Sequence, residues 1–125
     1  MRSLSSEYVL FTQLDSHLDL NNFAIEHCNV TNNTVQALGQ LDMPNLQQIS
    51  FKLCPKLEDE AMAIFFRKKR TSITKLNISG CSLLTDAAVK LLVPSMPNLR
   101  ILSLQSLYRI TDASVAYLFE SVLFH

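Results

Sequence analysis

Glycine and proline are scarce, two and four in 125 residues, which argues against a linker or a disordered chain. Charge of one sign is not in excess either. Eleven basic residues balance eleven acidic ones, so there is no global pull toward nucleic acid or an anionic membrane. No window holds the ~18 consecutive apolar residues that a membrane-spanning helix needs. At the start of the chain, Glu7 on one side and polar residues on the other confine the apolar stretch to Tyr8 to Phe11, which makes a poor signal peptide. The expected location is therefore cytoplasmic or nuclear. Cysteine is present in an odd number, three, with no CxxC pair, which excludes an ordinary disulfide scaffold. No glycine-rich loop is present to cradle a phosphate. His17, His27 and His125 keep no company with a nucleophile in a catalytic signature. The expectation is a non-enzyme with no cofactor, no metal site and no small-molecule substrate.

What the chain does have is a repeat. Rows beginning at Leu20, Leu46, Ile73 and Leu99 are separated by 26, 27 and 26 residues. The fourth residue of each row is Phe23, Ile49, Leu76 and Leu102. The sixth is Ile25, Phe51, Ile78 and Leu104, and the ninth is Cys28, Cys54, Cys81 and Leu107. Later in the rows come Leu57-Glu58-Asp59, Leu84-Thr85-Asp86 and Ile110-Thr111-Asp112. Apolar pairs three apart follow: Met62 with Phe65, Val89 with Leu92, and Val115 with Leu118. Row one carries Val35 and Leu38, shifted by one residue. The tetrapeptides Met43-Pro44-Asn45-Leu46 and Met96-Pro97-Asn98-Leu99 close two of the rows.

Each half of a row has its own period. The first alternates at period two, which suits a short strand with one buried face. The second has the spacing of one helix face. Thr followed by Asp predicts a helix start, with a capping hydroxyl and a carboxylate beside the positive end of the dipole. Glu58, Asp59 and Glu60 are read in the same way at the second helix, and Pro94 and Pro97 as the stop of the third. One strand and one helix cannot bury an apolar face alone, so the rows must stack. The expected fold is α/β: a right-handed strand–helix solenoid with a parallel sheet on the concave face and helices on the convex face. Its rows span 20–45, 46–72, 73–98 and 99–125. Residues 1–19, where Ser5 or Ser6 can cap a helix bearing Val9, Leu10 and Leu14, read as an N-terminal cap or a truncated preceding repeat.

The skeleton L-x-x-L-x-L-x-x-C-x-x-[IL]-T-D resembles the cysteine-containing class of leucine-rich repeat. Ile73-Thr74-Lys75-Leu76-Asn77-Ile78-Ser79-Gly80-Cys81 with Leu84-Thr85-Asp86 fits it column by column, and the resemblance covers about residues 20–123. That class is characteristic of F-box leucine-rich-repeat proteins, the substrate receptors of cullin-type ubiquitin ligases. It is also found in related fungal proteins of nucleotide-excision repair and mitotic-exit control. The resemblance implies a protein-interaction module that recognises a substrate, with cullin-type ligase components as further partners. The alternative it implies is a structural or regulatory array in DNA repair or cell-cycle control, with no ligase link. Residues 1–19 are too short to hold an F-box, so only recognition carries over to this chain.

Strand alternation marks a candidate binding face. Outward positions are Asn22, Ala24 and Glu26 in row one, and Gln48, Ser50 and Lys52 in row two. Rows three and four add Lys75, Asn77 and Ser79, then Ile101, Ser103 and Gln105. The candidate partner site is Glu26, Gln48, Ser50, Lys52, Lys75, Asn77, Ser79, Ser103 and Gln105. The cysteines recur at the repeat period, with Leu107 on the fourth rung, which favours a ladder of core residues over a metal site. The run Arg67-Lys68-Lys69-Arg70 reads as a solvated tail complementing a helix C-terminus. A nuclear-localisation or nucleic-acid patch is the competing reading. The apolar run from Leu118 to Phe124 has no polar cap after it, so the last row is expected to be poorly covered.

Overall fold

A computed structural model of the protein describes residues 21–24, 26 and 31–123. The readings of Ser5, Ser6, Val9, Leu10, Leu14, Ile25, Cys28 and the three histidines fall outside these residues. Strand and helix alternate along the chain: β1 (Asn22–Ala24), α1 (Asn32–Gly39), β2 (Gln48–Ser50), α2 (Asp59–Arg67), β3 (Lys75–Asn77), α3 (Asp86–Ser95), β4 (Ile101–Ser103) and α4 (Asp112–Leu123). The strands form one parallel sheet in the order β1-β2-β3-β4. Its register puts Asn22 beside Gln48, Gln48 beside Lys75, and Lys75 beside Ile101. Each helix packs on the helix of the neighbouring row. This is the α/β leucine-rich-repeat architecture that the periodicity predicts.

The repeat columns become layers of the core. Ile49 and Leu76 at the fourth position are buried, as are Phe51 and Ile78 at the sixth. Cys54, Cys81 and Leu107 form the ninth rung, between 0% and 8% exposed. The helix pairs Val35 with Leu38, Met62 with Phe65, and Val89 with Leu92 are all buried. Row four departs from this. Val115 is 62% exposed although Val89, its equivalent one row earlier, is 0% exposed. A helix face in a stacked array is covered by the next row, and no described residue lies beyond α4 in the stack.

The turn between strand and helix places a left-handed residue at the eighth position of rows two, three and four. Leu53 has φ 59°, Gly80 has φ 76° and Ser106 has φ 57°. Glycine is strain-free there, and at Gly80 a Cβ would lie only 2.3 Å from Leu53 Cδ2. The closing tetrapeptides make matching turns, with Leu46 N donating to Met43 O and Leu99 N donating to Met96 O, each at 3.1 Å.

Two sequence readings change at the helix ends. The third helix does not stop at Pro94; it continues to Ser95. Proline has no N–H, so the Lys90 carbonyl loses its usual partner four residues on. Tyr117 Oη of the next row donates to it at 3.3 Å instead. The basic run is not a solvated tail either. Only Arg67 and Lys69 of the run are exposed. Arg70 is 7% exposed and holds the place in row two's closing turn that Met43 and Met96 hold in theirs. Its stem fills the methionine volume. Its guanidinium donates to Phe65 O at 3.2 Å, Leu41 O at 3.1 Å and Gly39 O at 2.7 Å. It also lies 4.0 Å over the Phe65 ring, which meets Phe51 and Phe66 edge to face. Burial pulls the pKa of Arg70 below its ordinary value, yet the group stays charged. Lys68 reaches back across the rows to Gln40 O at 2.7 Å and to Asp42 Oδ1 at 2.9 Å. Sequence reasoning missed this clamp because a buried arginine looks like any other member of a basic run.

Truncation of Arg70 to alanine leaves three helix-end carbonyls without a donor and opens a gap beside Phe65; the expected loss is about 3 kcal/mol by denaturant unfolding. Arg70→Met refills the volume in the way rows one and three do, and is expected to recover about half of that loss. Ser106→Gly relieves a left-handed serine on the surface and is expected to stabilise by about 1 kcal/mol, read as a higher Tm.

Candidate functional site

The open face of the sheet, turned away from the helices, carries the candidate partner residues. The first column across the strands is Asn22, Gln48, Lys75 and Ile101, all exposed. Ile101 is 53% exposed and stands in register with Lys75, so a cation and an apolar side chain are neighbours there. Strand spacing sets them about 4.8 Å apart at the backbone. Lys52 and Gln105 are exposed further along the same face.

Serines on this face are less available than alternation implies. Ser50 in β2 is 8% exposed, and Ser79, two residues past β3, is 7% exposed. Their hydroxyls are also engaged. Ser50 Oγ donates to Glu26 at 2.6 Å and accepts from Lys52 N at 3.3 Å. Ser79 Oγ accepts from Gln105 N at 3.1 Å, and Ser79 N donates to Asn77 Oδ1 at 2.9 Å. Asn77, Ser103 and Glu26 are half-buried. Ala24, read as outward-facing, is 1% exposed. The structure therefore divides the candidate set. Gln48, Lys52, Lys75 and Gln105 present free surface, while Glu26, Ser50, Asn77 and Ser79 form a hydrogen-bonded floor. A cleft of about 90 Å³ opens between Glu26, Gln48, Lys75 and Asn77. Ile101 belongs with the presented group; the same alternation that selected Lys75 also reaches it.

Cysteine chemistry finds no footing on this face. Cys54 and Cys81 are buried in the core, and neither is in a disulfide. Cys81 Sγ donates to Phe51 O at 2.9 Å, and burial pushes its pKa up to about 11. A thiol held protonated in this way is a packing residue rather than a nucleophile or ligand. Among the described residues, no group of three or more His, Cys, Asp or Glu side chains converges on a point. No described helix is long and apolar enough to cross a membrane.

Neighbouring rows are tied together by hydrogen bonds at the helix N-termini. Thr85 and Thr111 cap their own helices by accepting from Ala87 N and Ala113 N, both at 3.2 Å. The carboxylates beside these caps do more than complement the dipole. Asp59 accepts from Thr85 N at 2.8 Å and from the Thr85 hydroxyl. Asp86 accepts from Thr111 N at 2.9 Å, from Thr111 Oγ1 at 2.6 Å and from the Ser114 hydroxyl. Between the first two rows, Asn32 and Glu58 exchange bonds at 3.2 and 3.1 Å. Glu58 makes no side-chain cap to its own helix. The spacing of 26 to 27 residues was the available signal, since it aligns each Asp with the cap of the next row.

With this geometry in place, the protein can be compared with others. The fold defines a leucine-rich-repeat array with alternating strands and helices around a parallel sheet. Among solved structures, it resembles a chain in the crystal structure of the Rad7 and Elc1 complex in yeast, with a TM-score of 0.73 and 26% sequence identity. The match covers 82% of this chain and 26% of that one, so the protein spans about a quarter of its structural relative. No protein-family profile matches the sequence, and no curated protein does.

Three donors converge on Asp86, the Ser114 hydroxyl foremost, and hold its pKa down at about 2. An unfolded aspartate titrates near about 3.9. A depressed folded pKa contributes stability above the unfolded value and loses it as pH falls through the folded one. Thermal stability is therefore expected to fall between about pH 4 and pH 2, and Asp86→Asn to flatten that part of the Tm-against-pH curve.

Proposed function

We propose that the protein is a non-enzymatic recognition module that holds a protein partner across the open, concave face of its sheet. The observation that carries this reading is the row Gln48, Lys75 and Ile101, exposed side by side on an internally hydrogen-bonded floor. Rigid backbone beneath protruding polar and apolar side chains reduces the ordering entropy that binding costs. Lys52 and Lys75 are the cations that face brings to a partner, so the partner segment is acidic, with an apolar side chain for Ile101. Solenoids commonly use their inner sheet in this way.

The ubiquitin-ligase reading is the finer part of the proposal. It rests on the resemblance of the rows to the cysteine-containing class and on the likeness to a chain solved in complex with another protein. On this reading the module is the substrate-recognition part of a cullin-type assembly, acting in the cytoplasm or nucleus.

Affinity purification of the wild-type chain against Lys52→Glu/Lys75→Glu tests both levels. Both lysines are exposed on the sheet, so the double variant is expected to keep its Tm and lose its partner by tenfold or more, since a close like charge costs on the order of 1.4 kcal/mol. Partner recovery undiminished in the double variant would sink the sheet-face reading. Purified complexes free of cullin-type ligase components would remove the ligase reading and leave the sheet-face reading standing.

A further inference from the structure

The fold puts only two members of the run Arg67-Lys68-Lys69-Arg70 to structural use. Cations gather at helix C-termini to meet unpaired carbonyls. Here that duty falls to Arg70 on Gly39 O, Leu41 O and Phe65 O, to Lys68 on Gln40 O, and to the Ser95 hydroxyl on Lys68 O. Arg67 and Lys69 stay exposed, and their side chains meet no acceptor or carboxylate among the described residues. Arg100 is exposed in the same way, while its N–H donates to Thr74 O at 2.8 Å and holds it beside row three. Two clefts open between these cations and meet at Thr71. One of about 260 Å³ runs past Asp42, Lys68, Lys69 and Ser72, and the other, of about 480 Å³, past Thr74, Asn98 and Arg100. The Thr71 hydroxyl has no partner among the described residues, and Asn98 spends only its Nδ2, on Thr71 O at 2.7 Å. Residues 40–45, 67–74 and 95–100, which form this rim, hold five basic side chains against one acidic one, Asp42. The carboxylates Glu58, Asp59, Glu60, Asp86 and Asp112 lie at the opposite ends of the helices. A chain of zero net charge is thus polarised across its fold.

We propose that this basic rim is a second interaction surface, separate from the sheet face, and that it takes an acidic protein segment along the two clefts. Lys69 and Arg100 supply the charges on either side of Thr71, and Arg67 adds a third at the end of α2. The Thr71 hydroxyl and the Asn98 amide oxygen offer a donor and an acceptor to the backbone of an extended segment between them. Nucleic acid fits less well. No large apolar or aromatic side chain is exposed on the rim to stack a base, and three available cations make few phosphate contacts. Asp42 competes for the surface from within, because it holds Lys68 at 2.9 Å. A localisation signal read in extended form would require Arg70 to leave three carbonyls.

The test titrates the full chain with a short polyglutamate peptide at low salt, followed by backbone NMR. Shifts are expected in residues 67–74 and 96–100. Arg67→Gln/Lys69→Gln/Arg100→Gln is expected to keep its Tm and to weaken binding by about tenfold, since exposed charge pairs contribute a few tenths to about 1 kcal/mol each. Asp42→Asn releases Lys68 and is expected to tighten binding by roughly threefold. A gain on removing one carboxylate is not a product of a damaged fold. Lys52→Glu/Lys75→Glu is expected to leave the rim shifts in place, so this surface and the sheet face stand or fall separately. Shifts confined to the surroundings of Lys52 and Lys75, an affinity indifferent to the triple variant, or no gain in Asp42→Asn would each overturn the proposal. Tighter binding of a duplex DNA of equal charge would reassign the rim to nucleic acid.

Discussion

A strand of three residues and a helix of eight to twelve have too little interior to bury their own apolar faces. Everything else in the protein follows from that shortage. A fully buried Leu or Phe stabilises by about 1.5–3 kcal/mol, but only when a second row lies against it. Met62, Phe65, Val89 and Leu92 reach zero exposure by being covered from the side. The core is thus a series of shared walls, and stability is a nearest-neighbour quantity.

Shared walls need to be kept in register, and polar groups at both ends of the helices do this. At the N-terminal ends, the carboxylates of Asp59 and Asp86 satisfy donors of the following row, while the Asn32–Glu58 pair joins the first two. At the C-terminal ends, Arg70 gathers carbonyls from α2 and from around the end of α1, groups that a helix leaves without partners. Ser95 Oγ adds a bond to Lys68 O at 2.7 Å, and Asn98 a bond to Thr71 O at 2.7 Å, which ties row three to the same segment. In the sheet between these ends, the parallel register lines up Gln48, Lys75 and Ile101 as one continuous row.

Much of this was legible in the sequence. Columns such as Ile49 with Leu76, or Cys54 with Cys81, report a repeat because the same packing problem is solved again in each row. Alternation also identified the outward side chains of the sheet. It did not identify which of them stay open. Ser50 and Ser79 obey the alternation yet sit in the floor, because their hydroxyls bond to Glu26 and to Gln105 N of neighbouring rows. Arg70 fails in the opposite direction. Charge predicts exposure, and only its place in the closing turn, equivalent to Met43 and Met96, shows that it belongs inside.

Periodicity by itself determined the strand–helix alternation, the stacking and the face that looks outward, since a period of two or of roughly 3.6 is a local property that any segment carries with it. The tertiary structure decided which polar groups became structural. A carboxylate next to a helix cap, a lysine near a helix end and a hydroxyl just past a strand all look like surface chemistry until a row about 26 residues away comes within hydrogen-bond distance. Asp59 and Asp86 found such a row; the fourth member of the series, Asp112, shows what the same residue is when nothing described lies beside it.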